Sequence, residues 1–258
     1  MEAELVRVEV ADHVATVTLD RPPVNAFNFA LQNRIIEVFD RLSDEPSVRA
    51  IVFTGAGKTF SAGADIKARA GTEFTPGERW THNRSVRECF HAVMECKKPV
   101  VAAINGPALG GGLALVASAD ILIASTLASV GLPEINVGLL GGGRHAMRLF
   151  GHSTTRQMML TGHRLSGEEL YRLGIVAACV APDALIPTAT GIAREIASKS
   201  PTATRLAKEA LNAIEEMSLR DGYRFEQNMT ARLAGHPDSR EAMRAFAERR
   251  APMFRDES

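Results

Sequence analysis

Three short, unbroken apolar runs constrain the fold of this chain more than any other feature: Ala50-Ile51-Val52-Phe53, Val100-Val101-Ala102-Ala103-Ile104 and Ile121-Leu122-Ile123-Ala124. Each has the length of a strand, and the first two are preceded by segments of helical period. Residues 29 to 43 place Leu31, Ile35, Val38, Phe39 and Leu42 on one stripe, and a second helix carries Val86, Phe90, Val93 and Met94. Ahead of them, Val6, Val8 and Val10, then Val14, Thr16 and Thr18, alternate on either side of Ala11-Asp12-His13, which predicts a hairpin. Further on, Ser166 with Glu169 fits a capping box, Gly174 a helix stop, and Ile175 to Val180 another strand. From residue 183 the pattern is helical only, at 183–198, 201–217, 219–234 and 238–249, with Ser200 as a cap and Pro201 in the first helical position. The reading is an α/β core of repeated strand-strand-helix turns followed by an all-helical part. No low-complexity linker separates them, so the two are expected to pack together or across subunits.

At 258 residues and 45% hydrophobic content, the chain can bury a proper core. Thirty basic residues balance thirty acidic ones, which leaves no global field to gather a nucleic acid or an anionic membrane surface. Cys89, Cys96 and Cys179 are odd in number and lack a Cys-x-x-Cys spacing, so reduced, mostly buried thiols are expected rather than disulfides or a zinc site. The first twenty residues alternate like a strand and do not resemble a targeting peptide. No apolar stretch approaches the roughly 20 residues of a membrane span. A cytoplasmic protein is the expectation.

Three glycine-containing turns invite a chemical reading. Thr54-Gly55-Ala56-Gly57-Lys58-Thr59 suggests a phosphate loop, but the position five residues before Gly57 is Val52, inside a strand, and no helix follows Thr59. Phe60-Ser61-Ala62-Gly63-Ala64-Asp65-Ile66-Lys67 is a small-residue turn that lets a ligand approach the backbone closely. Asn105-Gly106-Pro107-Ala108-Leu109-Gly110-Gly111-Gly112 follows a strand and leads into a helix, whose first N–H groups have no intrahelical partner. One N–H from each of the last two turns can point at the same oxygen, although either turn alone is also an ordinary tight turn.

Together these two segments resemble the crotonase (enoyl-CoA hydratase/isomerase) family. The resemblance extends to VGLPEINVGLL at 130–140, LTGHRLSGEEL at 160–170 and AFAERRAPMF at 245–254. It implies an α/β fold: a crotonase-like spiral of β-β-α turns over residues 1–198 that holds an acyl-CoA site. Residues 199–258 then form a helical region that builds homo-trimers, often paired into hexamers. Coenzyme A enters as part of the substrate thioester, with no prosthetic group and no metal.

By the same resemblance, the oxyanion donors are the backbone N–H groups of Ala64 and Gly111. They would stabilise the enolate formed when a proton leaves the carbon next to a thioester carbonyl, each worth about 3 kcal/mol in the transition state. Glu134, in Gly131-Leu132-Pro133-Glu134, matches one family glutamate. The other, which hydratases carry three residues after Gly111, is Ala114 here. Adding water uses an acid and a base, whereas shifting a double bond from Δ3 to Δ2 needs one group, so the pattern favours an enoyl-CoA isomerase over a hydratase. Gly142 matches a position whose amide helps hold the catalytic water. Arg144 and His145 replace small residues and are read as narrowing the acyl pocket, as supplying a second acid/base at His145, or as polar packing. Gly63, Asp65, Ile66, Gly110, Leu132 and Pro133 would line the substrate. Ala62 and Lys67 would lie near the nucleotide, and Arg249 of the Arg249-Arg250 pair would meet phosphate. Other acyl-CoA reactions on an unusual acyl group, or acyl-CoA binding without catalysis, are the alternatives.

Overall fold

The computed structural model of the chain describes residues 5–66 and 74–254. Strands β1 (Val6–Ala11) and β2 (Val14–Leu19) form the expected antiparallel hairpin, and Asp12 and His13 take positive φ in its two-residue turn. That turn geometry matches the twist of the strands it joins. Running parallel to β2 are β3 (Ala50–Gly55), β4 (Val100–Ile104), β6 (Ile121–Ser125) and β9 (Ala178–Val180), giving one six-stranded sheet in the order β1-β2-β3-β4-β6-β9. A second sheet holds three strands of three residues each: β5 (Pro107–Leu109) pairs in parallel with β7 (Ser129–Gly131), which pairs antiparallel with β8 (Arg164–Ser166).

Helices α1 (Phe29–Asp44) and α2 (Pro76–Met94) connect the first strands, and α3 (Gly111–Ala117) follows the second glycine turn. Then come α4 (Gly143–Leu149), α5 (His152–Thr161), α6 (Gly167–Arg172) and α7 (Leu185–Ala197). The apolar stripe of α1 is buried as its spacing predicts, and Asn28 caps the helix by accepting from the Leu31 N–H at 2.9 Å. Strands β3 and β4 are apolar without interruption because both of their faces are covered. Ile51, Phe53, Val100, Ala102 and Ile104 join α1 and Phe60 in one core, where Phe53 meets Phe39 and Phe60 edge-on at 5.1 and 5.3 Å. Their alternate residues, Ala50, Val52, Val101 and Ala103, pack under Leu185, Ala189, Ala193 and Ala197 of α7.

Beyond α7 lie α8 (Pro201–Ile214), α9 (Leu219–Ala234) and α10 (Pro237–Ala247), with Ser200 capping α8 as predicted. Lys208, 5% exposed, ties α8 to the sheet: its ammonium donates to Asp120 Oδ2 at 2.8 Å and to the Lys98 carbonyl at 3.1 Å. Arg148 clasps Glu215 at 2.8 Å just past the end of α8.

Three boundaries differ from expectation. Ile175 is not in a strand, because its N–H returns to Leu170 O and closes α6 around Gly174 at φ +71, so β9 begins only at Ala178. Helix α8 stops at Ile214, since the chain must turn before Ser218 caps α9. The three short strands of the second sheet fall where loops and helices were expected. All three cysteines are free thiols, and burial pushes that of Cys89 up to about 12. Among the described residues no helix is long and apolar enough to cross a membrane.

Candidate active site

The first small-residue turn is held mainly by its main-chain N–H groups, which reach carbonyls of neighbouring segments. The Ser61 N–H donates to Pro107 O at 3.2 Å, the Ala62 N–H to Val24 O at 3.0 Å, the Gly63 N–H to Ser61 Oγ at 3.2 Å and the Asp65 N–H to Phe27 O at 3.0 Å. Among the described residues the Ala64 N–H finds no acceptor, unlike those of Ser61, Ala62, Gly63 and Asp65. Gly63 sits at φ +79, and a Cβ there would lie 2.5 Å from Leu109 O and 3.1 Å from Gly111 N, so both the conformation and the space require glycine. The two predicted turns are therefore in direct contact, laced by the Leu109 N–H to Ser61 O bond at 2.9 Å.

The second turn leaves β5 through Gly110, whose N–H donates to Gly131 O at 2.9 Å. Gly111 opens α3, so its N–H has no intrahelical carbonyl and no acceptor among the described residues. Strand β7 then delivers Glu134 to the same place. Pro133 starts a short 3₁₀ turn, Pro133–Val137, and the carboxylate of Glu134 rests against Gly110, where any Cβ would collide with Oε1. Glu134 Oε2 is buried and has no hydrogen-bond partner, and burial raises the pKa of this carboxyl above the ordinary glutamate value. Gly142, at φ +75, closes over Leu132 and lies near Gly110 O. Gly63 thus abuts Gly111, and the carboxylate of Glu134, with its Oε2 unpartnered, rests against the adjoining Gly110. That combination can bind a carbonyl oxygen as it becomes anionic and move a proton beside it.

Ala114 lies one turn into α3 and is fully buried in the apolar core. Leu132 is buried, Pro133 is half-buried and Ile66 lies at the surface. Asp65 accepts from Arg21 at 2.8 Å, and Lys67 lies outside the described residues. Arg144 is exposed and forms an ion pair with Glu216 while lining a cavity of about 570 Å³ beside Gly142 and Met159. His145 instead packs edge-on against Phe90, with ring centroids 4.9 Å apart. Burial, helped by Arg148, His91 and Arg144, lowers its pKa, so the ring is neutral near pH 7. At the C-terminal end, Arg250 is held by Glu241 and Glu248 at 2.7 and 2.6 Å and is not available to phosphate, whereas Arg249 is exposed at φ +54 and has no ion-pair partner among the described residues.

Sequence reasoning passed over Asn25, which organises the first turn. Buried and at φ +51, it donates to the carbonyls of Ala56, Thr59 and Phe60 and accepts from the Arg21 N–H at 2.9 Å. Its own carbonyl accepts from Ser61 Oγ at 2.7 Å. Phe27 was also missed: its ring lies against Gly111 and 6.4 Å from that of Phe90. The stretch Arg21-Pro22-Pro23-Val24-Asn25 reads only as a turn, and nothing local marks the asparagine as buried. The amides of the rejected phosphate loop are used elsewhere, that of Gly55 on Asn105 Oδ1 and that of Ala56 on Leu19 O. No cluster of three or more potential metal ligands occurs among the described residues.

Comparison with known proteins finds a family model described as enoyl-CoA hydratase/isomerase matching residues 9–257. A probable enoyl-CoA hydratase from Rhizobium meliloti (strain 1021) is 36% identical over 265 residues and covers 99% of each chain. An (E)-benzylidenesuccinyl-CoA hydratase from Thauera aromatica is 37% identical over 256 residues, 97% of this chain and 98% of that one. Among solved structures, an enoyl-CoA hydratase from Bacillus anthracis superposes with a TM-score of 0.92 at 33% identity, over 98% of this chain and all of the other.

Proposed function

Because this chain belongs to the enoyl-CoA hydratase/isomerase (crotonase) family of enzymes, we propose that it works through a thioester enolate held by the N–H groups of Ala64 and Gly111. Glu134 is the single group that moves the proton, and Δ3,Δ2-enoyl-CoA isomerisation is the favoured outcome. The observation that supports this reading is the solitary carboxylate: Glu134 rests against Gly110 with its Oε2 unpartnered, and the place of a second glutamate is taken by the fully buried Ala114. Glu134 takes a proton from the α carbon of a 3-enoyl thioester, the two amides hold the dienolate oxygen, and the same carboxyl returns the proton to the γ carbon. The double bond moves by one position and nothing is gained or lost.

On this reading Gly63, Asp65, Ile66, Gly110, Ala114, Leu132 and Pro133 surround the acyl thioester, and Gly142 offers a further amide near the reacting carbons. Ala62, Lys67 and Arg249 serve the nucleotide end. Residues 1–198 form the catalytic spiral and 199–258 the oligomerisation region of a cytoplasmic trimer or hexamer. Support for the second assignment is the apolar surface left on the last helices, including Leu219 at 91% and Phe246 at 87% exposure. The second reading is hydration of 2-enoyl-CoA, favoured by the names of the relatives. Assaying purified enzyme with 3-enoyl-CoA and 2-enoyl-CoA side by side separates the two. Isomerisation of the first substrate without hydration of the second is expected, and formation of a 3-hydroxyacyl product alone overturns the preference.

A further inference from the structure

The cavity of about 570 Å³ that Arg144 lines lies where residues 140–144, α4 and α5 meet. Two observations tie it to the reacting centre. Gly142 lines it and stands against the catalytic segments, since a Cβ on Gly142 would lie 2.7 Å from Leu132 Cδ2 and 3.6 Å from Gly110 O. Helix α5, which supplies the opposite wall, packs on the 3₁₀ turn that carries Glu134. The walls combine apolar bulk with positive charge. Leu140, Met147, Met159 and Leu160 supply the bulk, and all of these but Met159 are more than half exposed although they line a hollow. Arg144 and Arg156 supply the charge.

The commitments of these cations differ. Arg156 donates its Nε–H to His152 Nε2 at 2.7 Å, and among the described residues it has no ion pair that would occupy the rest of its fork. Arg144 pairs with Glu216, but their side chains are 60% and 72% exposed, and such a pair contributes little and can yield its guanidinium to another carboxylate. Arg148, on the same helix, is already held by Glu215 and the Ala117 carbonyl. A plain alkyl chain in this hollow would bury its methylenes but strip water from the guanidinium groups without replacing it. A chain of equal length that ends in a carboxylate buries nearly the same methylenes and meets arginine in its favoured bidentate geometry. Resting on the thioester site proposed above, we infer that this cavity receives the far end of the acyl chain and that the preferred substrate is the CoA monothioester of a dicarboxylic acid, its free carboxylate held by Arg156 and, more weakly, by Arg144.

The test is calorimetric titration of the full-length protein with the saturated CoA monothioesters of hexanedioic, octanedioic and decanedioic acids. Each is compared with the unbranched monocarboxylic ester of equal carbon number, and free CoA is titrated alongside. At the best of the three lengths the diacid ester is expected to bind about tenfold more tightly than its counterpart, as one charge-assisted hydrogen-bonded pair would give. Arg156→Gln should bring that ratio close to one, and Arg156→Lys, which keeps the charge but loses the fork, should leave an intermediate ratio. Arg144→Gln should lower it less, because Glu216 already engages Arg144. A ratio of one or below at all three lengths in the parent overturns the inference. So does a tenfold ratio that survives in Arg156→Gln, and a changed oligomeric mass in that variant would then assign the hollow to a contact between copies of the chain. The two readings fail separately: binding of all the esters without a diacid preference removes this inference alone, whereas esters that bind no better than free CoA remove the thioester site itself.

Discussion

A single methyl group at Gly110 tests whether Glu134 is held where the chemistry needs it. Gly110 adopts φ +55, ψ −115, a backbone state that costs a residue with a side chain about 1–3 kcal/mol. For a domain of this size each kcal/mol lowers Tm by about 2–4 °C, so Gly110→Ala should melt roughly 2–12 °C below the parent. The new Cβ would collide with Glu134 Oε1. That oxygen ends a flexible side chain, so the carboxylate swings aside and the fold survives. A displacement of about 1 Å in a reacting group costs on the order of 100-fold in turnover. Because the N–H groups of Ala64 and Gly111 are untouched, binding of a saturated acyl-CoA should stay near the parent level. Gly174→Ala is the control, since Gly174 also sits at positive φ, +71, but a Cβ there meets nothing within 4 Å. It should lose stability and keep its turnover. The measurements are a thermal melt, steady-state turnover of an enoyl thioester and titration with its saturated analogue. A folded Gly110→Ala enzyme with undiminished turnover would refute the placement of Glu134 in the reaction.

Glu134→Gln should lower turnover by about 10²–10⁴-fold while retaining acyl-CoA binding; unchanged turnover would favour the binder reading. Burial raises the pKa of Glu134, so the carboxyl must be ionised against that bias, and the acid limb of the kcat/KM profile should lie above the ordinary glutamate range. The same sign governs stability: below the ordinary pKa the native and unfolded states are both protonated and no penalty exists, and the penalty grows as pH rises through the raised native value. The Tm advantage of Glu134→Gln over the parent should therefore open with rising pH, and a gap that instead widens toward acid would show the carboxylate to be paired. Ala114→Glu places a second carboxyl one turn into α3 and should produce measurable 3-hydroxyacyl-CoA from 2-enoyl-CoA at some cost in core packing. Lys208→Met leaves Asp120 without its ammonium partner and should destabilise the protein by about 3 kcal/mol, read as a lower midpoint in urea, with an unshifted midpoint counting against the tie between α8 and the sheet.

What the sequence disclosed follows from the length and repetition of each signal. Helix α1 shows five buried apolar positions at helical spacing, and β3 and β4 show strand-length apolar runs because both faces are covered, so each element is overdetermined. Strands β5, β7 and β8 have three residues each, too few to display alternation, yet they carry the second turn and deliver Glu134. The two glycine turns were legible as motifs because backbone-to-backbone approach excludes side chains, and Gly63 and Gly110 have no room for a Cβ. Asn25 was not, since its carbonyl partners lie 31 to 35 residues away and leave no local trace. Likewise the bulk of Arg144 and His145 could be read, but their directions could not: one is set by Glu216 and the other by Phe90.

A site built from main-chain amides divides its labour in a particular way. On the proposed reading Ala64 is the donor because Ser61, Ala62, Gly63 and Asp65 spend their N–H groups on the carbonyls of Pro107, Val24 and Phe27 and on Ser61 Oγ. Such a hole stabilises any thioester enolate equally well and cannot choose between reactions. Selection must then fall to the groups around it: one carboxyl or two near the reacting carbons, and the shape of the cavity that takes the acyl chain. On the proposed reading the first choice rests on the buried Ala114 and on Glu134, whose Oε2 has no hydrogen-bond partner. The buried lone oxygen of Glu134 is the expected mark of that arrangement, a local loss of stability that persists because satisfying it with a neighbouring donor would lower the basicity the reaction uses.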